Sequence, residues 1–347
     1  MIEAILQEIS LRKIYLQNQT VETIYFGGGT PSVLEAAEIE RILNHITGIF
    51  SVSSDAEITL EANPDDLNSK KVKELRNTPI NRFSIGTQSF FDEDLIWMNR
   101  PHNAIEAETS IKRVQDAGFE NITLDLIYGF PLLTNQKWVS NIIIALQLDV
   151  PHISSYSITV EPKTALASFI KRGKQAIMSD AQSADQFVIL MEKLEDAGFE
   201  HYEISNFAKP GRYSKHNSNY WNGIPYLGVG PSAHSFNGET RQWNVADNGR
   251  YIESLSNAQV PAEIEELTLT DRVNEYIMTS LRTMWGMDLN KIKNDFGPDY
   301  KSEIEKSLIP FIANNSITQK ENSVVLTRHG KLFADHIAGE LFLEEGS

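Results

Sequence analysis

The sequence predicts an α/β protein, a partial parallel β/α barrel followed by a mainly helical, winged-helix-like C-terminal domain. Three observations carry this. Helical and strand patterns alternate from residue 1 to about 205, which implies parallel strands joined by right-handed crossovers. Four of those strands bear polar residues on one face, whereas a parallel strand covered on both faces is nearly all apolar. From about residue 251 onward, helices are followed by a hairpin and a last helix. The organisation expected is a partial barrel over 1–205, a loop-rich segment over 206–250 and a helical domain over 251–347.

Taken in order, Ile2, Ile5, Leu6 and Ile9 fall at helix spacing. A strand is expected at 23–26, a helix at 35–50, a strand at 57–62 and a helix at 68–77. Then come a strand at 82–88, a helix at 104–117, a strand at 121–128, a helix at 136–148 and a strand at 152–159. A long helix at 181–197 leads to a possible strand at 201–205. Gly118 and Gly198 follow two of these helices as C-caps that turn the chain back to the sheet. Pro210, Gly211, Gly223, Pro225, Gly228, Gly230, Pro231 and Gly238 punctuate the next stretch as loop. A helix over 271–285, a hairpin over 316–326 and a helix over 331–342 complete the reading.

Strand alternation says which residues line the interior. Glu57, Thr59 and Glu61 share one face; so do Arg82, Ser84, Gly86 and Gln88. Asp125 stands opposite Leu124 and Leu126, and Ser155, Ser157 and Thr159 stand opposite Tyr156 and Ile158. A polar lining is what a ligand-holding barrel needs; the alternative is that the carboxylates form structural ion pairs with Arg82 or Arg100. Between the first strand and the next helix, Gly27-Gly28-Gly29-Thr30-Pro31-Ser32 reads either as a tight turn or as a seat for a ligand on backbone N–H groups. It has neither the dinucleotide nor the P-loop spacing.

Composition narrows the classes. Among 347 residues there is no cysteine, so disulfides, zinc fingers and thiolate-held clusters lack ligands here. A net charge of −16 argues against nucleic acid or an anionic membrane as partner. No apolar run approaches the ~18 residues of a membrane span, and no signal peptide opens the chain. A cytoplasmic protein with no integral membrane segment is expected.

Several motifs occur in order: Gly27 to Ser32, Glu61-Ala62-Asn63-Pro64, Ser84 to Phe90, Asn99-Arg100, and Asp125 to Pro131. Together they resemble the radical S-adenosylmethionine (SAM) enzymes related to oxygen-independent coproporphyrinogen III dehydrogenase. His216-Asn217-Ser218-Asn219-Tyr220-Trp221, with Leu227 to His234 just after it, is similar to the signature of that family's haem chaperone (HemW-type) branch. The resemblance implies S-adenosylmethionine held by Gly28, Gly29, Thr30, Glu61, Gln88, Arg100 and Asp125. In that scheme Arg100 supplies a fixed positive charge and Asp125 accepts from ribose hydroxyls. It further implies haem or porphyrin at His216, Tyr220 and Trp221, with His216 as iron ligand and His234 as the alternative. A haem-accepting apoprotein is the implied partner.

The family also implies a [4Fe-4S] cluster on a three-cysteine loop, which this sequence lacks. The chain starts on the helix that would follow that loop, and 23–26 is left as an uncovered edge. An N-terminally truncated sequence is the expectation, a cluster-free paralogue the alternative. Three functions stand open: haem delivery to an apoprotein, oxidative decarboxylation of coproporphyrinogen III through a 5′-deoxyadenosyl radical, and a cofactor-free scaffold. The stretch His216 to Trp221 favours the first.

Overall fold

A computed structural model describes residues 1–160, 162 and 164–344. The chain forms two compact units. One comprises Met1–Ile24, Ala37–Glu57 and Ser214–Ser347; the other comprises Tyr25–Ala36 and Ile58–Tyr213.

Along the chain, α1 (Ile2–Leu11), β1 (Val21–Phe26), α2 (Ala36–Ile49) and β2 (Val52–Ala62) come first. Next are α3 (Ser69–Leu75), β3 (Arg82–Gln88), α4 (Asp92–Trp97), α5 (Ala104–Asp116), β4 (Ile122–Tyr128), α6 (Asn135–Gln147) and β5 (His152–Ser157). Then α7 (Ala165–Lys171), α8 (Asp180–Asp196), β6 (Glu200–Glu203) and β7 (Asn206–Ala208) follow. The strands form one open sheet in the order β1-β2-β3-β4-β5-β7-β6. Pairing is parallel from β2 to β5, then antiparallel at β7 and β6. The alternating pattern therefore yields the expected partial β/α barrel. Its crossover helices start on side-chain caps, Asn68 for α3, Asn103 for α5 and Thr134 for α6. Leu60, Phe83, Ile85, Leu124, Leu126 and Ile153 are fully buried beneath the helices.

The single strand expected at 201–205 is two short strands, β6 and β7, joined by a bend at Ile204-Ser205. The strand expected at 57–62 extends back to Val52. The phase of β5 is the opposite of that expected. Ser154 bonds Asn206 on β7, whereas Ser157 Oγ meets Ser183 on α8. Ser154 and Tyr156, rather than Ser155 and Ser157, therefore share the face of Asp125. With hydroxyl residues on both faces, β5 gives no apolar alternation to fix its phase.

The stretch expected as loop contains α9 (Lys215–Trp221), β8 (His234–Phe236) and β9 (Thr240–Asn244), followed by α10 (Asn248–Ser256) and β10 (Ala262–Glu266). β8, β9 and β10 make an antiparallel sheet. Beyond lie α11 (Leu269–Leu281), β11 (Met287–Asp288), α12 (Leu289–Asp295), α13 (Pro298–Ala313), β12 (Ile317–Lys320), β13 (Ser323–Leu326), α14 (Arg328–Lys331) and α15 (Ala334–Glu340). Helices α11 to α13 with the small sheet β11-β13-β12 give the expected winged-helix-like arrangement. The last expected helix is instead two, broken at Leu332-Phe333.

Candidate functional site

The polar face of the sheet is assembled by register. Glu61 on β2 pairs with Ser84 on β3, and Asp125 on β4 pairs with Ser154 on β5. Glu61 accepts from Tyr25 Oη at 2.7 Å and from the Gly28 backbone N–H at 3.3 Å. One N–H of the glycine turn is thus committed to Glu61. Gly28 needs its freedom for a φ of 77°. Within this turn the glycine without room for a side chain is Gly27, read in the sequence as part of the motif and not as a site residue: a Cβ there would lie 2.5 Å from the Tyr25 ring and 2.9 Å from the Glu61 carboxylate. Gly28 and Gly29 face open space, and Thr30 is exposed. Ser32 anchors the end of the turn, donating to Asp66 Oδ2 at 2.6 Å and accepting from the Asn63 N–H.

Gln88 ends β3 in the left-handed region, φ 66°, where the ladder to β4 shifts register. A Cβ on Gly86 would press on the Gln88 amide at 3.0 Å, so Gly86 leaves that side chain its place. His102, buried behind it, bonds the Thr87 carbonyl through Nε2 at 3.1 Å. Arg100 follows left-handed Asn99 and donates its backbone N–H to the Leu95 carbonyl at 2.8 Å, while its guanidinium makes no hydrogen bond or ion pair among the described residues. Burial disfavours its charge, which Asp125 supports.

Among the described residues, Asp125 receives only a forked bond from Ser84 Oγ, 3.3 Å to each oxygen. Burial and then the charge of Glu61 push its carboxyl up to about 7, against the opposing pull of Ser84, Arg82 and Ser154. Arg82 donates to Asn121 and Thr123. Arg82 and Arg100 both act on Asp125 through their charge. Five expected residues, Gly28, Glu61, Gln88, Arg100 and Asp125, belong to one unit. Their donor set suits a ligand with a cation, an amide partner and a diol. A thiolate-held cluster does not fit: there is no cysteine, and no group of three His, Asp or Glu among the described residues could hold a metal.

His216 lies in the other unit, in the first turn of α9 rather than in a loop. The cause is Glu57, placed by the sequence in the barrel lining. Its carboxylate accepts from Ser214 Oγ at 3.2 Å, Lys215 N at 3.1 Å and His216 N at 3.0 Å. A buried anion thus satisfies the free N–H groups and the positive end of a short helix. His216 Nδ1 is hydrogen-bonded to Thr23 Oγ1 at 2.9 Å. Tyr220, one turn on, is 47% exposed. Trp221 does not share its plane: the rings stand at 89°, and the Arg282 guanidinium lies 4.9 Å over Trp221. A flat ligand can therefore stack on Tyr220 but not on both rings at once. From Tyr220 an aromatic series continues through Tyr226 to Phe236 on β8, the strand that starts with exposed His234.

The Radical SAM superfamily pattern matches residues 2–141, and the HemN C-terminal domain pattern matches residues 267–333. The Bacillus subtilis protein named heme chaperone HemW is 36% identical over 92% of this chain and 85% of its own length. That of Escherichia coli K12 is 30% identical over 99% of this chain and 90% of its own. Among solved structures, E. coli coproporphyrinogen III oxidase (HemN) superposes with a TM-score of 0.82 at 23% identity, covering 98% of this chain and 82% of that one. That likeness bears on the fold. Identity of this extent along nearly the whole sequence means that this chain belongs to the HemW family of radical SAM proteins.

Proposed function

We propose that this protein binds haem on α9 and passes it to an apoprotein, with S-adenosylmethionine as a supporting ligand of the barrel site. The observation that carries the haem half is the anchored histidine. Glu57 and Thr23 fix His216 from both ends, and the exposed Tyr220 ring stands one turn away. An imidazole held in place beside an aromatic face suits a porphyrin iron. His234, on the strand at the far end of the aromatic series, is the second candidate ligand.

In the barrel site, Glu61 and Gln88 would hold the amino-acid end of S-adenosylmethionine, Arg100 its carboxylate, and Asp125 its ribose hydroxyls. The turn of Gly28, Gly29 and Thr30 would close over it. When bound, that group supplies a sulfonium-activated adenosyl carbon; the chain's own residues bind and orient it.

Haem titration followed at the Soret band tests the reading. We expect a saturable complex that His216→Ala weakens at least tenfold and Tyr220→Ala weakens less, with His234→Ala as the control. Binding should also weaken on acidification, because only the neutral imidazole ligates. An unchanged complex in His216→Ala with a weakened one in His234→Ala would move the ligand to β8. Should neither variant matter, the chaperone reading fails, and the decarboxylating-enzyme alternative takes its place.

A further inference from the structure

The C-terminal end of β3 is bent. Against β4, Ile85 pairs with Leu124 and Gln88 with Leu126, so β3 carries one extra residue there. Gln88 closes this bulge at φ 66°, a backbone state that a residue with a side chain holds only where its surroundings enforce it. Beyond the bend the enforcing groups sit on helices. Asn141 on α6 accepts from the Phe90 N–H at 2.8 Å, and Asp94 on α4 accepts from Ser89 Oγ at 2.8 Å. Before it, His102 Nε2 reaches the Thr87 carbonyl at 3.1 Å.

A carbonyl oxygen only accepts, so Nε2 carries the hydrogen, and in the neutral ring Nδ1 is a bare lone pair. Nδ1 has no hydrogen-bond partner among the described residues, and the Asp65 carboxylate stops 4.0 Å from it. The ring has no exposed surface. What His102 contributes is therefore one donor, aimed from a rigid ring at the Thr87–Gln88 peptide.

Its own backbone extends the tie. Arg100, Pro101, His102 and Asn103 run between α4 and α5. The Arg100 N–H is held by the Leu95 carbonyl at 2.8 Å, and Asn103 Oδ1 caps α5 by accepting from the Glu106 N–H at 2.9 Å. Pro101 restricts the backbone of Arg100 before it. A His102 ring bonded to β3 thus fastens the segment that carries Arg100 to the strand that carries Gln88.

We propose that His102 is a positioning residue of the barrel site, holding through the Thr87 carbonyl the left-handed turn that presents Gln88 and, through its own segment, Arg100. The ligand roles of Gln88 and Arg100 rest on the function proposed above. The placement of the Gln88 side chain does not, and is tested on the protein alone.

Two variants separate a donor from a space-filler. The amide nitrogen of glutamine stands about as far from the backbone as Nε2, that of asparagine only as far as Nδ1. The readout is the Gln88 side-chain amide in the nitrogen–proton NMR spectrum, assigned by its loss in Gln88→Met. Gln182 and Gln186, on α8 of the same unit, are the references. His102→Asn should move the Gln88 signal and leave the α8 signals in place, whereas His102→Gln should restore the parent's. S-adenosylmethionine binding by calorimetry should follow, about tenfold weaker in His102→Asn and within about twofold of the parent in His102→Gln. A parent that binds no S-adenosylmethionine refutes the ligand reading, and the amide signals then decide on His102 by themselves. Should His102→Asn not fold, His102→Gln decides alone, because it must reproduce the parent's Gln88 signal. The proposal is overturned if a folded His102→Asn leaves the Gln88 signal unmoved, or if the α8 signals move as far as that of Gln88. A His102→Gln protein no closer to the parent than His102→Asn overturns it equally.

Discussion

Gly27 and Gly29 sit two residues apart in one turn, yet the structure asks different things of them. An added methyl at Gly27 meets the Tyr25 ring and the Glu61 carboxyl, while one at Gly29 meets nothing within 4 Å. Gly27→Ala should therefore cost ~1–3 kcal/mol in urea unfolding and displace Glu61 from Gly28, whereas Gly29→Ala should stay within ~0.5 kcal/mol. Equal effects would mean that the turn does not pack on Glu61. Asp125 gives a second residue-scale test. Its folded value, about 7, lies above the ordinary 3.8, so the folded state holds an extra proton between those limits. Stability is then lost as pH rises from about 4 to about 7, by the linkage of proton binding to unfolding. Asparagine cannot ionise. Asp125→Asn should gain on the parent by roughly 2–4 kcal/mol more at pH 8 than at pH 4, measured by denaturant unfolding at both.

At the scale of elements, what the sequence disclosed depended on local pattern. β3 and β4 were legible because Phe83, Ile85, Leu124 and Leu126 alternate with Ser84 and Asp125, and their caps and glycines mark the joints. The motif residues Glu61, Ser84 and Asp125 were legible as one face for the same reason. Helix α9 was not. It has seven residues, no buried side chain and no apolar stripe, so nothing in its own composition announces it. It stands on its Ser214 cap and on Glu57, more than 150 residues earlier. The link from Ser154 through Asn206 to Glu203 was missed likewise, because it consists of hydrogen bonds between strands. Glu57→Ala should accordingly cost ~2–4 kcal/mol, since three donors lose a charged acceptor. Ser214→Ala should cost ~1 kcal/mol. Haem affinity should fall with Glu57→Ala even where circular dichroism shows the fold intact. Undiminished affinity would mean that the anchoring of His216 is irrelevant to the ligand.

At the scale of the whole molecule, the sequence showed an acidic chain with a barrel ahead of a helical domain. It did not show that one compact unit gathers three separated stretches, Met1–Ile24, Ala37–Glu57 and Ser214–Ser347. The device that fastens the first stretch to the last is a buried carboxylate on α1. Glu8, with no exposed surface, accepts from Arg12 at 3.1 Å, the Gly230 N–H at 2.9 Å, Asn244 Nδ2 at 2.8 Å and Tyr251 Oη at 2.5 Å. Its helix otherwise reads as an ordinary apolar stripe, and a glutamate within it looks like surface. Three of its four partners lie more than 200 residues away, so no local pattern could reveal them. Glu8→Ala strands Arg12, itself 6% exposed, with no counter-charge, and leaves a buried phenol and amide without their acceptor. That should cost ~3–5 kcal/mol, the range for breaking one side of a buried ion pair. Replacing both partners, Glu8→Leu with Arg12→Met, removes the charges together and should recover a good part of the loss. Urea unfolding of the three variants is the check. A double variant no better than Glu8→Ala would show that the bonds from Gly230, Asn244 and Tyr251, and not the stranded charge, make Glu8 the fastening point of this unit.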